Sequence, residues 1–310
     1  MSERLVAVER PNLTLARIVR EAMGELSWNK ARDLCRTGRV WIGDDRARDP
    51  ELLVAVGERV RIDPNAPRER LRGLSPDAIV YADADVVVVN KPAGLLSVPY
   101  AEGDRDTLVD QLRALLRRRP GGRFSCDLGI VHRIDIDTTG LLVFARNLAA
   151  KRHLSQQFRV HSVHRRYWAL AHGSVAERSF DTLLMTNRGD GLRGSWGAFR
   201  RPKGKPPRDL RRAVSHVRVL RELRGATLVE VALETGRQHQ IRIHLSEAGH
   251  PLLGERVYIR DYRQELLKAP RPMLHARELG FEHPRKGNLL QFVQAPPEDF
   301  VQVLARLQAD

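Results

Sequence analysis

The chain has 310 residues, enough for two domains with their own cores, and only two cysteines, Cys35 and Cys126, which offer neither a disulfide framework nor a CxxC metal or redox pair. Its 53 Lys and Arg exceed its 38 Asp and Glu by 15, an excess that suits a polyanionic partner, whether nucleic acid or an anionic membrane surface. No uncharged apolar run approaches the roughly 18 residues of a membrane span, and the opening MSERLVAVERPN is charged without an apolar signal core, so a cytoplasmic protein with no membrane partner is expected.

Apolar Leu15, Ile18, Val19 and Ala22 follow helical spacing and end before Gly24. Ser27 is a suitable N-cap for a second helix that turns Ala31 and Leu34 inward and stops at Gly38. Val40 and Ile42 then alternate with polar neighbours, Gly43-Asp44-Asp45 turns the chain, and Val54 to Ile62 holds further short strands. Lys30, Arg32, Arg36 and Arg39 decorate the second helix and its exit; alone they fit a solvated helix face. The order Leu26-Ser27, Leu34, Gly38-Arg39-Val40-Trp41-Ile42 and Val56-Gly57-Glu58-Arg59-Val60 resembles the alpha-L RNA-binding module, departing from it at Gly43-Asp44-Asp45 and Glu58. A small RNA-binding domain is therefore expected over 1–65, followed by a Pro- and Arg-rich linker over 66–77 and a second domain over 78–310.

In the second domain Ile79-Val80-Tyr81 and Val86 to Asn90 read as strands, Thr107 to Arg119 as a helix with Leu108, Leu112, Leu115 and Leu116 on one face, Leu141 to Ala145 as a strand and Leu148 to Val160 as a helix. Asn187 to Arg212 holds nine Lys and Arg against two Asp and too little apolar content for a core; it is either a solvated loop or an arm that tracks phosphates. Val214 to Val219 and Thr227 to Leu233 alternate like neighbours in an antiparallel pair.

Chemistry concentrates in His132-Arg133-Ile134-Asp135-Ile136-Asp137-Thr138-Thr139-Gly140, a polar loop between two apolar segments. Asp137-Thr138 alone fits a turn cap. Asp135, between Ile134 and Ile136, is a carboxylate in an apolar setting and needs a cation. In Glu234 to Leu245, Ile241, Ile243 and Leu245 alternate with Arg242 and His244, which predicts a strand whose Arg242 reaches across a cleft to Asp135. On such a strand His239 and His244 would point to opposite faces and share no metal. A zinc nucleobase deaminase lacks its H-x-E and P-C-x-x-C ligands here.

His132 to Gly140 resembles the HRLDxxTSG motif of the RluA-type pseudouridine synthases. Further matches follow in the family's order: Val89-Asn90-Lys91-Pro92-Ala93-Gly94, Val163 to Gly173 with Tyr167, Gly236 to Leu245, Gly249 to Gly254, and Leu274-His275-Ala276. Thr139, Gln238, Arg165 and Glu255 stand where the pattern has Ser, Thr, Lys and Asp. The resemblance implies an α+β fold, with a mixed, largely antiparallel sheet and flanking helices, preceded by the small RNA-binding domain. It implies isomerisation of uridine to pseudouridine in ribosomal or transfer RNA by a monomer needing no cofactor or metal. It assigns Asp135 as the catalytic carboxylate, Arg242 as its partner, Tyr167 as the active-site tyrosine and Arg133 as filling the space of the extruded base. Leu274 would line the uracil pocket, and His132, Thr138 and Lys91, with Arg200 and Lys203 of the basic stretch, would contact substrate. The carboxylate could attack the sugar or the ring, or assist proton removal from the sugar. A non-catalytic RNA-binding or ribosome-assembly factor on the same fold is the alternative.

Overall fold

The structure is a computed structural model describing residues 2–308 except 12, 25, 68–72, 100–104, 119–126, 189–190 and 198–205. It forms two compact units, Met1–Gly73 with Pro99–Thr107, and Leu74–Val98 with Leu108–Asp310.

The first unit runs β1 (Arg4–Ala7), β2 (Leu13–Thr14), α1 (Leu15–Ala22), α2 (Trp28–Arg36), β3 (Val40–Ile42), β4 (Asp45–Arg46), β5 (Leu53–Val54) and β6 (Arg59–Ile62). The Ser27 hydroxyl accepts the Lys30 N–H at 3.3 Å, and α2 ends before Gly38, whose φ of +69° suits glycine. Leu15, Ile18 and Val19 of α1 and Ala31 and Leu34 of α2 pack with Val40, Val60 and Ile62 into one core. The strands form an antiparallel sheet in the order β1-β6-β3-β4 beside a β2-β5 pair. Strand β1 was not legible in the sequence, because it is exposed along its whole length apart from a half-buried Val6 and so has no apolar alternation.

The second unit starts earlier than position 78. The Leu74 N–H donates to Gln111 Oε1 at 2.8 Å, and Ser75 caps a short 3-10 turn, Pro76–Ala78. Then follow β7 (Ile79–Ala82), β8 (Val86–Lys91), α3 (Leu108–Arg117), β9 (Gly129–Ile130), β10 (Thr139–Ala145), α4 (Leu148–Arg159), β11 (His164–His172), β12 (Arg178–Met185), β13 (Gly194–Ser195), β14 (Arg211–Leu223), β15 (Ala226–Leu233), α5 (Gln240–Glu247), β16 (Leu274–Glu282), β17 (Leu289–Val293) and α6 (Glu298–Gln308). The sheet order is β13-β12-β14-β15-β11-β16-β10-β8-β7, with β17 added to β16 and β9 to β10. Among the described pairings in this sheet only β10 with β16 is parallel, so the architecture is α+β and largely antiparallel, as expected. Among the described residues no helix is long and apolar enough to cross a membrane.

The core lies on both faces of the central strands. Val86, Val88, Leu141, Val143 and Ala145 pack against Ala150 and Leu154 of α4 and Phe281. Phe300, Val303 and Leu307 of α6 cover Leu170, Ala226 and Leu228. In the β7–β8 turn, Asp83 accepts from His283 at 2.7 Å and Asp85 accepts both arms of Arg285 at 2.8 Å, tying chain segments 200 residues apart.

One expected strand is a helix. Residues 240–245 are all buried and belong to α5. The alternation of Ile with Arg and His suggests a strand with an apolar and a polar face, but Arg242 and His244 are buried with polar partners, so the pattern carries no two-residue period of exposure. Gln240 organises the start of the helix. Its Oε1 accepts from the Thr235 hydroxyl and the Arg237 N–H, and its amide donates to Val214 O and Ser215 Oγ, all at 2.8–3.0 Å.

Candidate active site

The loop 132–138 leads directly into β10, and its backbone is tied down carbonyl by carbonyl. Ile134 O accepts the Ser97 hydroxyl at 2.7 Å, Asp135 O accepts the Thr138 N–H at 3.2 Å, Ile136 O accepts Lys91 Nζ at 2.6 Å and Asp137 O accepts Arg271 Nη1 at 3.0 Å. Arg271 is itself held by a two-pronged ion pair to Asp299 of α6 at 2.7 and 2.9 Å. Beyond the loop, Gly140 (φ +108°) sits where β10 meets β16, and a Cβ there would lie 2.2 Å from Ala276 O. Only glycine allows that approach. Thr139 beside it bonds to His275 Nδ1 at 2.9 Å, and His275 donates from Nε2 to Gln294 O at 3.0 Å; burial pushes the His275 pKa down to about 4.

Lys91 departs from expectation. Its side chain is fully buried and its ammonium donates to Pro92, Leu95 and Ile136 carbonyls, which match its three N–H groups, so it holds the loop from behind instead of facing substrate. Burial pushes its pKa down to about 7, against the opposing pull of Asp137 and Asp135.

Asp135 turns its carboxylate into an open cleft of about 460 Å³. One oxygen lies 3.7 Å from Arg242 Nη1 and the other 4.0 Å from His239 Nε2. Those are charge contacts rather than hydrogen bonds, because the tight partner of Arg242 is Glu255. Arg242 Nε and Nη2 donate to Glu255 Oε2 and Oε1 at 2.8 and 2.7 Å, and Glu255 Oε1 also accepts the N–H groups of Arg256 and Val257. Burial alone would raise the Glu255 pKa, but the Arg242 charge and these hydrogen bonds bring it down to about 2. Arg242 is thus fixed from behind and presents one N–H edge to Asp135. His239, in the left-handed region at φ +58°, is oriented by Tyr258, whose hydroxyl lies 2.8 Å from Nδ1.

Tyr167 and Leu274 line the same cleft from adjacent strands, β11 and β16, both buried. Burial, chiefly, raises the Tyr167 pKa, so it stands as a neutral phenol beside Asp135. Arg133 is exposed at the rim, 3.3 Å from Gln238 Oε1. His132 lines the cleft, stacks on Phe158 with ring centres 4.6 Å apart, and accepts the Val143 N–H on Nε2 at 3.0 Å; burial pushes its pKa down to about 3, leaving it neutral. Thr138 is buried in the cleft wall. The structure therefore brings Asp135, Tyr167, Arg133, His132, Thr138 and Leu274 together around one cleft with Arg242 against Asp135, and sets Lys91 behind it. Arg200 and Lys203 lie outside the described residues. Glu255 appeared in the sequence only as a departure from a motif, and His239 only as a discarded metal ligand. His244, on α5, instead bonds Ser215 and Thr182 at 3.0 and 2.9 Å, with its pKa pushed down to about 4 by burial.

A carboxylate flanked by a guanidinium and an imidazole, with a buried phenol and an apolar side chain in an open cleft, is suited to acting on a planar base displaced from its polymer. The sequence pattern of the RNA pseudouridylate synthase family matches residues 85–247, which include Asp135, Tyr167 and Arg242. The chain belongs to this family and is an RNA pseudouridine synthase, an isomerase of uridine in RNA. Among its relatives, ribosomal large subunit pseudouridine synthase D of Neisseria meningitidis serogroup A is 37% identical over 281 residues, 87% of this chain and 72% of that protein. The protein of the same name from Zymomonas mobilis is 34% identical over 92% of this chain and 90% of its own. Human RNA pseudouridylate synthase domain containing 4 superposes with a TM-score of 0.58 at 25% identity, covering 74% of this chain and 93% of that one.

Proposed function

We propose that this protein converts specific uridines of large-subunit ribosomal RNA to pseudouridine in the cytoplasm, with Asp135 as the catalytic carboxylate. The observation that carries the reading is the placement of Asp135: its carboxylate faces the cleft on a loop whose carbonyls from Ile134 to Asp137 are held, with Arg242 at 3.7 Å and Tyr167 in the same wall. Such pre-organisation lowers the cost of bringing the reacting atoms together.

The reaction is an isomerisation with no net gain or loss of atoms. The bond between ribose C1′ and N1 breaks, the uracil turns, C5 bonds to C1′, a proton leaves C5 and N1 acquires one. Asp135 acts on the nucleoside as the nucleophilic or proton-accepting group. Arg242 places a positive charge beside that carboxylate, Tyr167 stacks on the base and assists proton transfer, and Leu274 covers the uracil. Arg133, at the rim, fills the space left by the extruded base.

The ribosomal substrate is favoured by the relatives named for it. The first unit serves as an RNA-binding module. Supporting that role, its half-exposed Trp28 carries the guanidinium groups of Arg20 and Arg32 at 5.0 and 5.5 Å, an aromatic and cationic pairing suited to stacked bases and phosphates. The test is to map pseudouridines in total RNA from cells with and without this protein. Sites in large-subunit ribosomal RNA should vanish in its absence; losses confined to transfer RNA, or none, would overturn the assignment.

A further inference from the structure

The cleft extends past Tyr167 to a second cationic group that the chemistry at Asp135 leaves unused. Arg165 lies two residues before Tyr167 on β11 and lines the same cleft, with only 7% of its surface exposed. Its Nη2 donates to Glu234 O at 2.6 Å and to Leu233 O at 3.4 Å, while its Nε–H has no acceptor. Among the described residues no carboxylate lies within 4 Å of it, although most other buried cations of this unit have one. Its surroundings instead add like charge, since Arg237 lines the same cleft and repels it. The guanidinium rests over Phe158 at 5.5 Å, and the absence of a side chain at Gly236 makes room for it, because a Cβ there would come within 2.6 Å of Nη1.

A guanidinium stays protonated, and burying it without a counter-charge is costly unless a ligand supplies one. A uracil carbonyl could accept one N–H but would not offset the charge. We propose that Arg165, with Arg237 at its side, binds a phosphodiester of the RNA adjoining the target uridine and so sets where that nucleotide's backbone lies while its base is at Asp135 and Tyr167. The placement suits this: two residues apart on β11, Arg165 and Tyr167 project from the same buried face of the strand into one cleft. An arginine fork also matches phosphate geometry in a way the lysine of the family pattern does not.

The proposal rests on the reading of the cleft as an RNA site, and the test separates the two. Affinity is measured for the full chain and for Arg165→Gln, using an RNA fragment that the unaltered protein modifies. The fragment is made with all linkages native and with each linkage flanking the target replaced by a neutral methylphosphonate. Arg165→Gln should weaken binding of the native fragment about tenfold. Neutralising one flanking linkage should weaken the unaltered protein by a similar factor yet change Arg165→Gln less than twofold. If melting shows that Gln compromises the fold, Arg165→Lys, which keeps the charge, should give the same non-additivity in reduced size. Additive losses at every flanking linkage, or native affinity in Arg165→Gln, would overturn the phosphodiester site alone. An unaltered protein that modifies no ribosomal RNA fragment would overturn the reading of the cleft itself.

Discussion

Arg242 stands between two carboxylates, and the closer one is not the candidate nucleophile. Because Glu255 takes both of its parallel N–H groups, Arg242 reaches Asp135 along a single edge at 3.7 Å and supplies charge without clamping it. Glu255→Gln keeps the shape but removes the charge that fixes Arg242, and leaves a buried cation short of a partner. Pseudouridine formation should fall at least tenfold, and Glu255→Asp, which restores the residue of the family motif, should recover most of it. The same pair predicts an acid dependence. The Glu255 pKa is depressed in the folded chain to about 2, below its unfolded value, so its contribution to stability is complete above about pH 4.5 and is lost as pH falls from there toward 2. Urea midpoints measured between pH 5 and 3 should drop less steeply in Glu255→Gln than in the unaltered protein. Equal slopes would show that the pair does not carry this dependence.

At the scale of elements, the site depends on where β10 touches β16. The parallel contact spans Thr139–Gly140 against His275–Ala276, immediately after the Asp135 loop on one side and Leu274 on the other. A Gly140→Ala change would force a Cβ against Ala276 O at a backbone angle unfavourable to alanine, and should destabilise the protein by about 3 kcal/mol or more by chemical denaturation, with loss of activity. Much of this layer was legible in the sequence. The apolar runs at Val86 and Leu141 marked central strands because burial on both faces leaves an unbroken apolar stretch, and Leu148 to Val160 and Ser27 to Gly38 marked helices because burial on one face leaves a period. Helix α5 was misread since its Arg and His are buried by polar contacts that no hydropathy pattern records. The candidate site was legible through its motifs, which located Asp135, Tyr167 and Arg242. What the motifs could not reveal is which polar groups face inward: Lys91 looked like a ligand for substrate and is a brace, whereas Arg165 and His239 line the cleft.

Across the whole molecule the charge is uneven. The first 77 residues hold 15 Lys and Arg against 13 Asp and Glu, so nearly all of the +15 belongs to the part of the chain carrying the cleft, and +7 of it to Asn187–Arg212. The described flanks of that stretch are anchored, with Asp209 accepting from the Thr186 N–H at 2.9 Å and Gly194–Ser195 pairing with β12. Neutralising Arg200, Arg201, Lys203 and Lys205 together should weaken RNA binding and flatten its salt dependence by up to about 3 in slope, each lost phosphate contact lowering the slope by about 0.7–0.9. An unchanged slope would assign the stretch to a solvated loop. All of these surfaces serve one proposed event at Asp135, and the most direct measurement is pseudouridine formed in a large-subunit ribosomal RNA fragment by the unaltered protein and by Asp135→Asn. The account predicts RNA binding within a few-fold of normal and no detectable product from Asp135→Asn; undiminished product from that variant would contradict it.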